Sequence, residues 1–424
     1  MDHRIAATQP STSADADARR SRVRALPARL ISILAYALLA LIAAAPRVTD
    51  LGRFVTIDEK YHWMGRSERF LEALKAGDFA ATAVVPHPGV TTMWLGAAGL
   101  FLQQQLEALG FLRDTSFSMQ LALMQLPLAL ANAFGVVLGY ALLRRICPGT
   151  PAVLAALLWA TDPFLIGYSR VLHVDALAAT FGALSLLAAC LYWHHLPRRR
   201  FLALSAACAA LAVLSKLPAL TVLPVVLVIA ATSQHSSCWR LLRSLFAWAA
   251  IFTLVVLVVW PAVWAAPWQT IRLVSSGVGD EAGQVNSNDT IFLGQVDTTP
   301  GPLFYPLALV LRATPWSLLG LLLLPVVPRR LPRANRYDVL ALIAFVLLFL
   351  AAMSIFAKKG NRYLVPIFPL VDILAAIGLA ALVSRSETTS MRRAPAMIWR
   401  RVAGRRSAAI ALCAGVALAG ILNA

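Results

Sequence analysis

The stretch Thr56-Ile57-Asp58-Glu59-Lys60-Tyr61-His62-Trp63 sets two acids, a lysine and a histidine side by side. It lies at the centre of a polar loop from Arg47 to Pro88 that closes on Pro86-His87-Pro88-Gly89. The chain around this loop is of another kind. Of its 424 residues, 59% are hydrophobic and 14% charged, and the mean hydropathy is +0.71. That is too apolar for a soluble protein of this size. Hydrophobic runs of about 17 to 25 residues, enough to cross a hydrocarbon core at ~1.5 Å per residue, recur from Leu30 almost to the C-terminus. Composition therefore predicts an all-α polytopic membrane protein, and ionisable groups gathered beside apolar spans mark where its chemistry sits.

Working outward, spans are expected at about 30–46, 118–143, 151–168, 174–195, 201–216, 217–232, 244–265, 303–327, 337–356, 363–383 and 408–422. That makes about eleven helices, within a range of 10–12, in one transmembrane domain, 30–424, behind a disordered cytoplasmic tail, 1–29. The first extracytoplasmic loop is 47–117, and a second, 266–302, is rich in Gly, Asn and Asp and is expected to be mobile and able to close over a site. Val90 to Leu106 is apolar but carries Gly96 and Gly99 and runs into Gln103-Gln104-Gln105. It is read as a helix on the membrane surface, because one more span there would put Arg144 and Arg145 on the wrong side.

The formal charge of +18 invites a nucleic-acid reading. With these spans, however, 24 of the 38 lysines and arginines fall in the segments 1–29, 144–150, 196–200, 233–243, 328–336 and 385–407. Basic residues concentrated on one side are topology signals, so the charge orients the chain in a plasma (inner) membrane and no nucleic-acid partner is needed. The five cysteines are scattered without a CxxC pair, which suggests neither a disulfide framework nor a metal knuckle.

The informative cations are those on the far side: Arg170, Lys216, and the cluster Lys358-Lys359-Gly360-Asn361-Arg362-Tyr363. Three cations within five residues need an anion, and a phosphate at the membrane surface suits them. Thr56 and Glu59 fit a capping box that opens an amphipathic helix from Asp58 to Ala76, with Trp63, Phe70, Leu71 and Leu74 on one face. A carboxylate at such a start is also kept ionised and directed outward, as a general base requires. His87, between two prolines, is a loop histidine. His173 and Asp175 reach the same membrane side as Asp58, where Asp175 alone would read as a helix cap.

In their order and sidedness these elements resemble the GT-C glycosyltransferases, most closely the protein O-mannosyltransferase and aminoarabinose transferase group. They are Asp58-Glu59 after the first helix, Pro86-His87-Pro88-Gly89, Asp175 after Tyr168-Ser169-Arg170, and Lys358-x3-Arg362-Tyr363-x2-Pro366-x2-Pro369. The chain departs from the group with Pro88-Gly89 in place of a double proline, a short loop 266–302, and no soluble domain after the last helix. The resemblance implies inverting transfer of a sugar from a polyprenyl-phosphate carrier to an acceptor hydroxyl on the extracytoplasmic face. It makes Asp58 and Glu59 catalytic candidates. His87, Arg170, His173, Asp175, Lys216, Lys358, Lys359, Arg362 and Tyr363 become substrate-binding candidates. No metal ligands are assigned, although two acids and two histidines could hold a divalent ion; sites for hard cations usually gather more carboxylates. A carrier-binding protein, flippase or transporter is the alternative. Transporters place ionisable groups near the midplane in repeated broken helices, whereas here they collect at one face.

Overall fold

The computed structural model describes residues 28–113, 116–233, 237–283, 290–297, 300–327, 331–356 and 359–390. The expected span 408–422, most of the expected tail and Lys358 lie outside them. Of the described residues, 28–38 belong to one compact unit and 39–390 to another, which carries everything discussed below.

Among the described residues the α-helices of seven residues or more are α1 (Ala28–Val48), α2 (Met64–Ala76), α3 (Val90–Ala108), α4 (Phe117–Ile146), α5 (Thr150–Thr161), α6 (Pro163–Ser169), α7 (Asp175–Cys190), α8 (Arg199–Ser215), α9 (Val222–Ala231), α10 (Cys238–Val259), α11 (Pro267–Gly283), α12 (Phe304–Arg312), α13 (Pro315–Leu323), α14 (Arg333–Ile355) and α15 (Phe368–Ser390). Between α11 and α12 lies a small antiparallel hairpin, β1 (Thr290–Phe292) and β2 (Gln295–Asp297). Among the described residues six helices are long and apolar enough to cross a membrane, or eight if each of two bent pairs counts as one span.

The interior is built on α7, which is buried along nearly its whole length and continues through a π-helical turn to His195. It packs against α8 and α4. Hydrogen bonds inside the apolar interior fix these contacts: Thr180 Oγ1 donates to Asn132 Oδ1 at 2.7 Å, and Ser185 Oγ to the Ser205 carbonyl at 2.8 Å. Such bonds between helices hold register where lipid gives no hydrophobic preference for one partner over another. The other main seams join α5 to α15, α3 to α4 and α13 to α15.

In the seam between α13 and α15 the backbones nearly touch. A Cβ added at Gly378 would lie 1.9 Å from the Gly320 carbonyl oxygen, and one at Gly320 would lie 2.2 Å from that of Ala375. Rigid backbone cannot yield there, so Gly378→Leu is expected to cost at least ~1–3 kcal/mol through overpacking. Thermal unfolding in detergent reads this directly, and an unchanged melting temperature would show that the seam is looser than described.

Two expectations are corrected. The span at 303–327 is broken: α12 and α13 meet at 114°. Pro315 has no N–H to continue α12, and Thr314 caps the new helix by accepting from Ser317 N at 3.1 Å. The span at 151–168 bends by 55° between α5 and α6. There Asp162 caps α6 by accepting from Leu165 N at 2.9 Å, and Pro163 occupies the first helical position. The expected extracytoplasmic loop 266–302 begins with the 17-residue helix α11.

The break expected at Ser215-Lys216-Leu217-Pro218 is present, with Lys216 extended between α8 and a 3-10 turn over Leu217–Thr221. Arg47, buried at 1% exposure, donates to the carbonyls of Ala160 at 2.8 Å and Trp159 at 3.3 Å. It thereby satisfies the C-terminal end of α5, whose last carbonyls have no partner within the helix.

Candidate active site

The capping box at Thr56 and Glu59 forms as its residues predict. Glu59 Oε2 accepts from Thr56 N at 2.8 Å and from Thr56 Oγ1 at 2.9 Å, and Glu59 N donates to Thr56 Oγ1 at 3.2 Å. The other oxygen, Oε1, accepts from Gln125 Nε2 and Leu172 N, each at 2.7 Å. Glu59 is thus fully buried and bonded on both oxygens, pinning the loop to α4 and to the segment before α7. Adjacent residues on a helical turn point about 100° apart. With Glu59 turned inward, Asp58 faces the other way.

It faces a cavity of about 460 Å³. Asp58, His62 and Arg66, one turn apart, all line it, and Lys216, Arg362 and Tyr363 line it as well. Trp63 is buried, with its ring edge-on to His87 and to His173 at centroid distances of 6.1 and 5.9 Å. Arg66 lies over the Trp63 ring at 4.7 Å, with its Nη1 3.2 Å from His87 Nε2. The sequence's departure from a double proline has a physical reason here. Gly89 adopts φ +56°, a Cβ there would be 2.3 Å from the Trp63 ring, and its N–H donates to the Ser215 carbonyl at 3.2 Å. Proline could meet none of these conditions.

Across the cavity wall charges alternate. Arg362 is ion-paired to Asp58. Asp58 Oδ2 lies 3.5 Å from His173 Nε2, and His173 Nδ1 lies 2.8 Å from Asp175 Oδ2. The other Asp175 oxygen accepts from Lys216, whose ammonium sits 4.2 Å from the centre of the Tyr363 ring. Asp175 is fully buried, which a carboxylate tolerates only when its charge is matched on both sides. His173 beside Asp58, together with the Arg362 charge, outweighs partial burial and holds the Asp58 carboxyl well below the usual carboxylate range. For His173, burial opposes the charged ring, but Asp175 and Asp58 prevail and raise its pKa above the ordinary value.

That shift makes stability depend on pH. A folded-state pKa above the unfolded value of ~6.5 means that the folded ring holds its proton more tightly. The resulting stabilisation is fully present below about pH 6.5 and is lost as pH rises through the raised value. Thermal unfolding from pH 6 upward should therefore show a smaller alkaline loss in His173→Gln than in the wild type; equal losses would refute the assignment.

The remaining sequence candidates scatter. His87 and Tyr363 line the cavity. Arg170 donates to the Thr49 carbonyl at 2.5 Å and lines no part of it. Lys359 turns to the end of α14, its ammonium 2.6 Å from the carbonyl oxygens of Ser354 and Phe356. Of the expected phosphate-binding cluster, Arg362 is therefore the cation placed at the cavity among the described residues, joined there by Lys216 and Arg66. The sequence assigns no role to His62, and Arg66 carries no signal of its own. The signal for them is the spacing of four from Asp58, obscured by the apolar stripe on the same helix.

The comparisons agree with this architecture. Residues 117–264 match the dolichyl-phosphate-mannose-protein mannosyltransferase family model, and residues 299–421 match the Alg9-like mannosyltransferase family. No curated protein matches the sequence. Among solved structures, the chain is similar to ArnT from Cupriavidus metallidurans in the apo state, with a TM-score of 0.56 and 18% identity over 85% of this chain and 62% of that one. ArnT bound to undecaprenyl phosphate gives 0.57 and 18% identity over 94% and 73%. The archaeal oligosaccharyltransferase AglB from Archaeoglobus fulgidus, in complex with an inhibitory peptide and a dolichol-phosphate, gives 0.55 and 16% identity over 92% and 55%. The chain thus spans less than two thirds of the apo ArnT and AglB chains. Two mannosyltransferase family models thus match separate parts of the sequence, and the chain is an integral membrane protein that shares the GT-C fold of these transferases.

Proposed function

We propose that the chain is an inverting glycosyltransferase that moves a sugar from a polyprenyl-phosphate carrier to an acceptor hydroxyl on the extracytoplasmic face. The observation that carries this reading is the ion pair of Asp58 with Arg362 at a cavity that Lys216 and Arg66 also line. A base and an anion-binding group stand together where a sugar phosphate would need both. Similar folds bound to undecaprenyl phosphate or a dolichol-phosphate support the class of donor.

In the proposed step an acceptor hydroxyl gives its proton to Asp58 as its oxygen attacks the anomeric carbon. The bond from that carbon to the phosphate oxygen breaks, and its electron pair leaves with the phosphate. A phosphate leaves without a general acid, so the demand falls on charge stabilisation, which Arg362 and Lys216 supply at the cavity. The strongly acidic Asp58 suits this role once the donor is bound. A phosphate that draws the Arg362 charge to itself makes Asp58 more basic at the moment it must accept a proton. His173 and Asp175 hold Asp58 in place from behind, and Glu59 fixes the turn that presents it.

The test is transfer by purified protein in lipid, offered a panel of polyprenyl-phosphate-linked sugars, with release of free polyprenyl phosphate as the readout. Release that depends on donor and acceptor supports the reading. No release from any donor, with binding of polyprenyl phosphate intact, would leave a carrier-binding protein instead.

A further inference from the structure

The helix that begins at Asp175 beside the cavity carries a second polar cluster at its far end, 20 residues on and about 30 Å away at 1.5 Å per residue. Its members are Cys190, His194 and His195 from α7 and its π-helical turn, and Asp338 from the first turns of α14. Asp338 is 3% exposed and Cys190 fully buried. Both histidines reach the same carboxylate: His194 Nδ1 lies 2.6 Å from Oδ1, and His195 Nε2 lies 2.6 Å from Oδ2.

The protons do not balance for neutral groups. His194 Nε2 faces the Ile229 carbonyl at 3.0 Å and Thr232 Oγ1 at 3.1 Å. A carbonyl can only accept, and the Thr232 hydroxyl spends its own proton on the backbone, on Val228 at 2.8 Å or Ile229 at 3.0 Å. The N–H of a neutral His194 is therefore on Nε2, and its Nδ1 lone pair is aimed at a carboxylate oxygen. A lone pair facing a carboxylate at that distance requires a positive charge between them, either a proton that makes His194 an imidazolium or a metal ion.

We propose that this cation is a divalent transition metal, zinc by its chemistry, bound by Cys190 Sγ, His194 Nδ1 and a carboxylate oxygen of Asp338. These ligand atoms lie within 4.8 Å of one another. One sulfur, one imidazole and one carboxylate suit zinc, and the site has the supporting contacts such ligands need. The Ile229 carbonyl fixes the His194 tautomer, and His195 holds the second oxygen of Asp338. A cavity of about 390 Å³ lined by Cys190 and Asp338 leaves room for water in a fourth position. Bond lengths of ~2.0–2.3 Å set tetrahedral ligands roughly 3.3–3.6 Å apart, so the His194–Asp338 contact opens by somewhat under 1 Å on binding. The Cys190 thiol loses its proton to solvent as the metal enters. The ion would tie the end of α7 to the start of α14, far from the proposed catalytic step and independent of it.

The experiment is a titration of the full chain, purified in detergent with a chelator and freed of it, with cobalt(II) and then with zinc. One cobalt per chain is expected, with a thiolate-to-cobalt charge-transfer absorption that zinc abolishes. Cys190→Ser should lose that absorption, Asp338→Asn should lose the metal, and Asp58→Asn should titrate as the wild type does. Should Asp338→Asn fail to fold, the near-isosteric Cys190→Ser decides alone. Absence of stoichiometric cobalt binding in the wild type, or the same absorption in Cys190→Ser, would overturn the proposal and leave a shared proton as the cation.

Discussion

Purified Asp58→Asn protein is expected to transfer sugar about 10²- to 10⁴-fold more slowly than wild type, the range a positioned general base contributes. The substitution keeps the side chain's size but removes both the negative charge and the proton acceptor. Binding of free polyprenyl phosphate should move in the opposite direction. In the ligand-free protein Arg362 is committed to Asp58, and an incoming phosphate must compete for it. An asparagine releases Arg362 and removes a carboxylate that repels the anion, so affinity should rise several-fold. Slower turnover with tighter binding separates a base from a merely structural residue, which would lower both when lost. Normal turnover in Asp58→Asn would sink the catalytic assignment.

Arg362→Ala should have the complementary effect, weakening polyprenyl phosphate binding by about 30- to 1,000-fold, or roughly 2–4 kcal/mol, with turnover falling at low donor concentration. Two losses combine. The charge-assisted contact to phosphate disappears, and Asp58 is left uncompensated, facing the incoming anion. The two residues should therefore couple. In the double variant Asp58→Asn with Arg362→Ala, part of the lost affinity should return, because the repelling carboxylate is gone, and a double-mutant cycle measures that return. Lys359→Ala is the contrast. Its ammonium lies on the carbonyl oxygens that end α14, so it should lower stability while leaving affinity nearly unchanged. Equal losses of affinity in Arg362→Ala and Lys359→Ala would show that the phosphate is held by the cluster as a whole, as the sequence alone suggests.

Much of the framework was legible in the sequence because it depends on local chemistry. Apolar runs make membrane helices wherever they fall. The capping box at Thr56 and Glu59 closes within four residues. The break at Lys216-Leu217-Pro218 follows from proline's missing N–H. The grouping of Asp58, His173, Asp175, Lys216 and Arg362 in one charged cluster also followed from counting spans, although not every expected span is straight. Pro315 and Asp162 bend two expected spans, and bending depends on what each segment meets in the interior.

Tertiary structure alone decided how neighbouring residues divide their roles. Asp58 and Glu59 are equivalent in sequence, but the 100° step of a helical turn sends one carboxylate into the cavity and the other into a closed set of hydrogen bonds. Lys359 and Arg362 belong to one basic cluster, yet one reaches back to a helix end and the other pairs with a carboxylate 304 residues away. Sequence determines which charges exist and between which apolar spans they fall. Which of them meet is set by packing across the bundle, because a long side chain's partner depends on where distant backbone lies and no local pattern records that position.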